Sequence, residues 1–210
     1  MTDSTTAIEP GRANQRRRTR KDLLAAASRL LKEGRSPGMD DVAEAAMVSR
    51  TTAYRYFPSI EALLVEAPVD GAVPDPAALF ADDDSTDPAD RVDKAEAALH
   101  DAAYRNERQL RLMLAAALER KARGEAPGGI PLRQNRRTDL IQAALAPARG
   151  RFTPATYQKL CAALALIFGT ESMIVFSDVL GVDEKTARRV KSWAARALVR
   201  AALEDSATRR

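Results

Sequence analysis

One cysteine, Cys161, and one histidine, His100, are all that the 210 residues contain of either type. The first count excludes an internal disulfide. The two together leave no Cys/His cluster to hold zinc, so no metal and no other cofactor is expected. No apolar run approaches the roughly 20 residues needed to span a bilayer, and the N-terminal MTDSTTAIEPGR has no apolar stretch of the kind a secretory signal carries. The expectation is a soluble chain of the reducing cytoplasm with no membrane partner. Apolar and polar positions nowhere alternate with a period of two, which argues against any sheet. Glycine-rich phosphate loops and nucleophile elbows are missing too, so the chain does not read as an enzyme.

What is present is helix-forming sequence. Hydrophobic residues make up 45% of the chain, enough to bury the core of one or two domains. The net charge of +4 and the pI near 9.4 are too mild to indicate a nucleic-acid partner by themselves. The distribution says more. Between Arg16 and Phe57 there are ten Lys or Arg against five Asp or Glu, a local excess of +5 that exceeds the net charge of the whole chain.

The fold expected is all-α with about nine helices. Residues 1–15, rich in Thr, Ser and Pro, read as a disordered tail. A first helix is predicted from a capping box at Thr19 and Asp22 to Gly34, with Leu23, Ala27, Leu30 and Leu31 as its apolar stripe. Met39 to Phe57, MDDVAEAAMVSRTTAYRYF, reads as two short helices joined by a tight turn. Met39, Val42, Ala43 and Ala46 share one face of the first, Val48 plugs the turn, and Ser49 caps the second. That second helix turns only Ala53 and Phe57 inward. Arg50, Thr51, Thr52, Tyr54, Arg55 and Tyr56 are left to meet something outside, and all six can form hydrogen bonds.

A further helix is predicted from Ile60 to about Ala67, stopped by Pro68. Residues 65–93 hold four prolines and, from Asp70 onward, eight aspartates against the single Arg91, and read as a linker that DNA phosphates would repel. A short helix is expected near Pro76 to Phe80. Residues 94–205 read as a second helical domain, with helices over Ala89 to Glu107, Gln109 to Arg123, Leu132 to Leu145, Pro154 to Leu180 and Asp183 to Glu204.

TRKDLLAAASRLLKEG, followed by MDDVAEAAMVSRTTAYRYF and IEALLVEA, resembles the N-terminal domain of the TetR family of bacterial transcriptional regulators over about Arg17 to Leu64. Beyond that the likeness is of architecture only. The resemblance implies a helix-turn-helix domain at 16–64, a homodimer on a palindromic double-stranded DNA operator, and a C-terminal domain that binds a small-molecule effector and dimerises. It implies a sequence-specific regulator, a repressor released by that effector. A helical ligand- or partner-binding protein that keeps the fold without reading an operator is the alternative.

By position in the family pattern, Ser49 is the cap of the recognition helix, Arg50, Thr51, Thr52 and Arg55 suit base edges or nearby phosphates, and Tyr54 and Tyr56 suit phosphates. Arg17, Arg18 and Arg20 would form a flexible arm reaching phosphates or a minor groove. Three residues depart from the pattern. Met47 stands at a turn glycine, Gly38 at a threonine cap and Ile60 at a lysine.

In the C-terminal part, His100 and Tyr104 are four residues apart on one helix and, with Met113, are candidates to line an effector pocket. Glu171, a further candidate for the effector site, would need an internal arginine or a ligand as partner if buried, and an internal partner or simple exposure is favoured over a ligand. Leu160, Leu164, Ile167, Phe168, Ser172, Val175 and Val179 line one side of a long helix, and Val190, Trp193, Ala194, Ala197, Leu198 and Ala201 one side of the next. Phe168, Val175, Val190, Trp193 and Ala197 are expected at a dimer interface. Cys161 reads as a small buried hydrophobe.

Overall fold

A computed structural model describes residues 10–124 and 134–208, and these form only helices, turns and loops. The helices are α1 (Pro10–Lys32), α2 (Met39–Ala45), α3 (Arg50–Tyr56), α4 (Ile60–Ala72), α5 (Pro76–Leu79), α6 (Pro88–Arg105), α7 (Glu107–Ala122), α8 (Arg137–Leu145), α9 (Pro154–Ile167), α10 (Thr170–Ile174) and α11 (Glu184–Thr208). A 3₁₀ turn over Ala146–Arg151 follows α8, and a π turn over Val175–Val179 extends α10. The fold is all-α, as the periodicity requires. It divides into two compact units, one of α1 to α4 with α7 and one of the remaining elements.

In the first unit, Leu23, Leu24, Ala27 and Leu30 of α1 pack with Met39, Val42 and Ala43 of α2, Ala53 of α3, Phe57, and Leu63 and Ala67 of α4. Each fully buried Leu or Phe here contributes about 1.5–3 kcal/mol. Two boundaries differ from expectation. Helix α1 does not begin at Thr19: it runs back to Pro10, so Pro10 to Gln15 are helical and Thr19 is buried within the helix instead of capping it. Proline suits a first helical position, and the Arg, Ala and Gln that follow are good helix formers. The rest of the expected tail lies outside the described residues. Helix α4 continues through Pro68 to Ala72. Burial of Ala67 and Val69 on either side of the proline offsets the lost backbone hydrogen bond, a tertiary override of a local breaker.

The second unit has its core in α6, α8, α9 and α11, around Val92, Leu140, Leu145, Leu164, Phe168 and Val199. The Pro/Asp-rich stretch is built into helix starts and ion pairs. Asp75 and Asp87 cap α5 and α6, accepting from the Ala78 and Ala89 amides at 2.9 and 2.8 Å. Asp83 takes Lys94 at 2.8 Å, and Asp90 and Asp93 hold Arg196 at 2.5 and 2.9 Å. Arg91, buried against the Phe80 ring, donates to the carbonyls of Ala143 and Ala144 at 3.2 and 3.1 Å and so satisfies the end of α8. Helix α8 starts at Arg137, later than the predicted Leu132; residues 125–133 lie outside those described.

The long helix expected from Pro154 to Leu180 is broken. Helix α9 ends at Ile167, Gly169 takes φ +103°, and the segment beyond it departs by 45°. Only glycine adopts that backbone readily, and the Arg137 guanidinium fills the place a Cβ would need, 3.0 Å away. No single helix among the described residues is long and apolar enough to cross a membrane.

Candidate functional site

Helix α2 ends in a Schellman motif. The Val48 amide donates to Ala43 O and the Met47 amide to Glu44 O, both at 2.9 Å, and Met47 sits at φ +55°. The turn therefore needs the left-handed residue for which glycine is suited, and Met47 supplies it with a side chain 93% exposed. Half-buried Val48 then packs on the core, and Ser49 caps α3 by accepting from the Thr52 amide at 3.1 Å. Gly38 caps α2 with an ordinary extended backbone, while its amide donates to the Asp41 carboxylate at 2.8 Å. Ile60 packs against the core, an apolar use of a position where a lysine was the family expectation.

Helix α3 fully buries only Ala53. Arg50, Thr51, Tyr54 and Arg55 are exposed and Thr52 is half-buried, its hydroxyl 2.9 Å from the Ser49 Oγ. Tyr56 is half-buried against the core, so its ring is partly structural. Arg50 donates to Asp40 at 2.8 Å and lies over the Tyr54 ring at 5.6 Å. Asp40, a residue not picked out from sequence, thus holds the first cation of α3 at the surface. Both partners are largely exposed, so this bond is weak enough to be exchanged for another acceptor.

The arginine run does not form a flexible arm, because it lies within α1. Arg17 and Arg18 are exposed there. Arg20 turns inward. Its guanidinium makes a bidentate pair with Glu66 of α4, at 2.6 and 2.5 Å, over the Phe57 ring at 4.5 Å. The two side chains retain only 14% and 8% exposure. Arg20 therefore braces α1 to α4 beside the end of α3. The cue lay in Glu66, a carboxylate on the apolar side of α4.

In the second unit, His100 and Tyr104 do meet, with ring centroids 4.4 Å apart. Burial first, then the cations of Lys191 and Arg188, pushes the His100 imidazole down to about 4, so it is neutral near pH 7. Lys191 and Glu96 form a buried pair at 2.5 Å, and Lys191 Nζ also lies 3.1 Å from His100 Nδ1. The Tyr104 hydroxyl is buried with no hydrogen-bond partner. Glu171 pairs with an internal arginine, Arg137, at 2.8 Å, and its side chain stays 42% exposed. Met113, on α7, belongs to the first unit. Cys161 is half-buried, and burial raises its thiol above the ordinary range.

The two apolar stripes behave differently. Leu160, Leu164, Phe168 and Ser172 are buried in the core, so Phe168 is an interior residue. On α11 the inward face is Ala187, Lys191, Ala195, Val199, Ala202 and Ser206. Val190 and Trp193 are exposed, Ala197 is half-buried, and with Val175 they lie outside that core.

Residues 23–67 match the family model described as bacterial regulatory proteins, tetR family. No curated protein and no solved structure matches the chain.

Proposed function

We propose that this chain, a TetR family regulator by its N-terminal helix-turn-helix domain, is a transcriptional repressor that binds a palindromic operator as a homodimer and is released by a small-molecule effector. The observation that carries the reading is α3. It fully buries only Ala53, with Tyr56 half-buried, while Arg50, Thr51, Tyr54 and Arg55 face outward from a capped, tightly held turn. Arginine and threonine can read base edges in a major groove, and the tyrosine hydroxyl suits a phosphate oxygen. Arg17 and Arg18, exposed on α1, add sequence-independent attraction.

A second copy is the natural cover for Leu166, Val175, Val179, Leu180, Val190 and Trp193, large apolar side chains exposed on the second unit, Trp193 by 68%. Twofold pairing of two chains matches a palindromic site, because each recognition helix then reads one half. The buried polar group around His100 and Tyr104 supports a place for an effector, which would act by favouring the conformation with lower DNA affinity.

Selection of genomic fragments by the purified chain, followed by a salt titration, tests this. An enriched palindrome is expected. Arg50→Ala and Thr52→Ala should each change the preferred bases at a cost of about 1–3 kcal/mol per lost contact, while Tyr54→Phe should weaken all sequences alike. Trp193→Arg should give monomers by sedimentation and lose operator affinity. Failure to enrich any sequence, or equal loss on operator and random DNA for all three recognition-helix variants, refutes operator reading.

A further inference from the structure

A cleft in the second unit is walled by cations that the fold itself does not use. It holds about 420 Å³, within the range of small-ligand sites, and its walls come from the start of α6, the 3₁₀ turn and the later turns of α11. Arg196, Arg200 and Leu203 line it from α11 at positions i, i+4 and i+7, which share one helix face. Arg151 enters from the 3₁₀ turn, and Thr86, Asp87 and Ala89 from the start of α6.

The three arginines differ in what already holds them. Arg196 is matched by Asp90 and Asp93, at 2.5 and 2.9 Å. The Arg151 and Arg200 side chains are exposed and have no ion pair or hydrogen bond among the described residues. Among those residues the carboxylate on the wall is that of Asp87, which is engaged with the Ala89 amide at 2.8 Å as the cap of α6. With Asp87 counted in full, the wall still keeps a positive charge that an anion would neutralise.

We propose that this cleft is a binding site for a small phosphate monoester. Each unmatched guanidinium presents a fork of two N–H groups, and the Thr86 hydroxyl adds a fifth donor. A carboxylate offers two oxygens with about four acceptor positions, whereas the three terminal oxygens of a phosphate monoester take all five donors. Its charge of about −1.5 to −2 at neutral pH also matches two cations, where a carboxylate matches one. Ala89, buried, and Leu203, half-buried against the core, give the cleft an apolar wall on which the organic group of the ester gains by burial. None of the residues assigned above to DNA or to an effector lines it.

The test is calorimetric titration of the full chain with phenyl phosphate, inorganic phosphate, benzoate and phenyl sulfate. One phenyl phosphate per chain is expected, bound at least about tenfold more tightly than benzoate or phenyl sulfate, and more tightly than inorganic phosphate, which lacks the apolar group. Arg151→Gln and Arg200→Gln, at exposed positions that should leave folding intact, are each expected to weaken binding about tenfold or more. Arg108→Gln, at an exposed arginine of the first unit, should leave it unchanged. Asp87→Asn keeps a good cap and removes the opposing carboxylate, so it should tighten binding. No binding of phenyl phosphate at about 1 mM, equal binding of benzoate, or an equal loss in Arg108→Gln overturns the proposal. Without the ester, the double variant Arg151→Gln with Arg200→Gln should hold duplex DNA as the parent chain does. Weaker DNA binding there would make the cleft a DNA contact and likewise overturn it. Operator selection reads α3, so its outcome is separate from that of these titrations.

Discussion

Replacing Met47 by glycine should stabilise the protein, because the turn between the two motif helices imposes φ +55° on a residue with a Cβ. A left-handed conformation costs a non-glycine residue about 1–2 kcal/mol. Glycine gives back part of that gain, since its unfolded chain is freer by about 0.5–1 kcal/mol. The side chain is 93% exposed, so its removal opens no cavity and loses almost no packing. The expected net gain is about 0.5–1 kcal/mol, which at a typical urea slope of about 2–3 kcal/mol/M raises the midpoint by roughly 0.2–0.5 M. Urea unfolding followed by circular dichroism would measure it, with the slope unchanged. Met47→Ala is the control, since alanine keeps the strain and should leave the midpoint near that of the parent chain. If alanine gains as much as glycine, the benefit comes from removing an exposed apolar side chain and the backbone argument is refuted. If glycine gains nothing, the turn is not strained.

Two further substitutions probe other joints of the fold. Arg20→Ala should cost about 3 kcal/mol of stability in denaturant melts because it takes the bidentate cation away from the nearly buried Glu66 carboxylate, whereas Arg20→Met with Glu66→Met should recover most of that loss; a loss under about 1 kcal/mol would place the pair among ordinary surface bridges. Gly169→Ala should cost about 2–3 kcal/mol, since the φ of +103° is open almost only to glycine and the new methyl displaces Arg137 from Glu171. A thermal melt within a degree of the parent would contradict that.

Local pattern made much of the first unit legible. The face of Met39, Val42 and Ala43, the cap at Ser49 and the inward pair Ala53 and Phe57 follow from spacing, and all lie where helical periodicity puts them. Met47 stood out only through the family resemblance, which puts a glycine at that turn position; the φ of +55° shows why. The arginine run was misread. Its charges are visible in sequence, but that Arg20 turns toward Glu66 on another helix is a fact of packing.

By itself, then, the sequence determined the helical class, the helix-turn-helix and the exposed face of its second helix, since these depend on interactions within a few residues. Tertiary structure decided the rest. It carried α4 through Pro68, broke the long helix at Gly169, and made Phe168 core while leaving Trp193 outside. It also brought Glu184 to His100 from a distant segment. Such outcomes depend on which faces find partners across the chain, and burial there outweighs the local preference of any one residue.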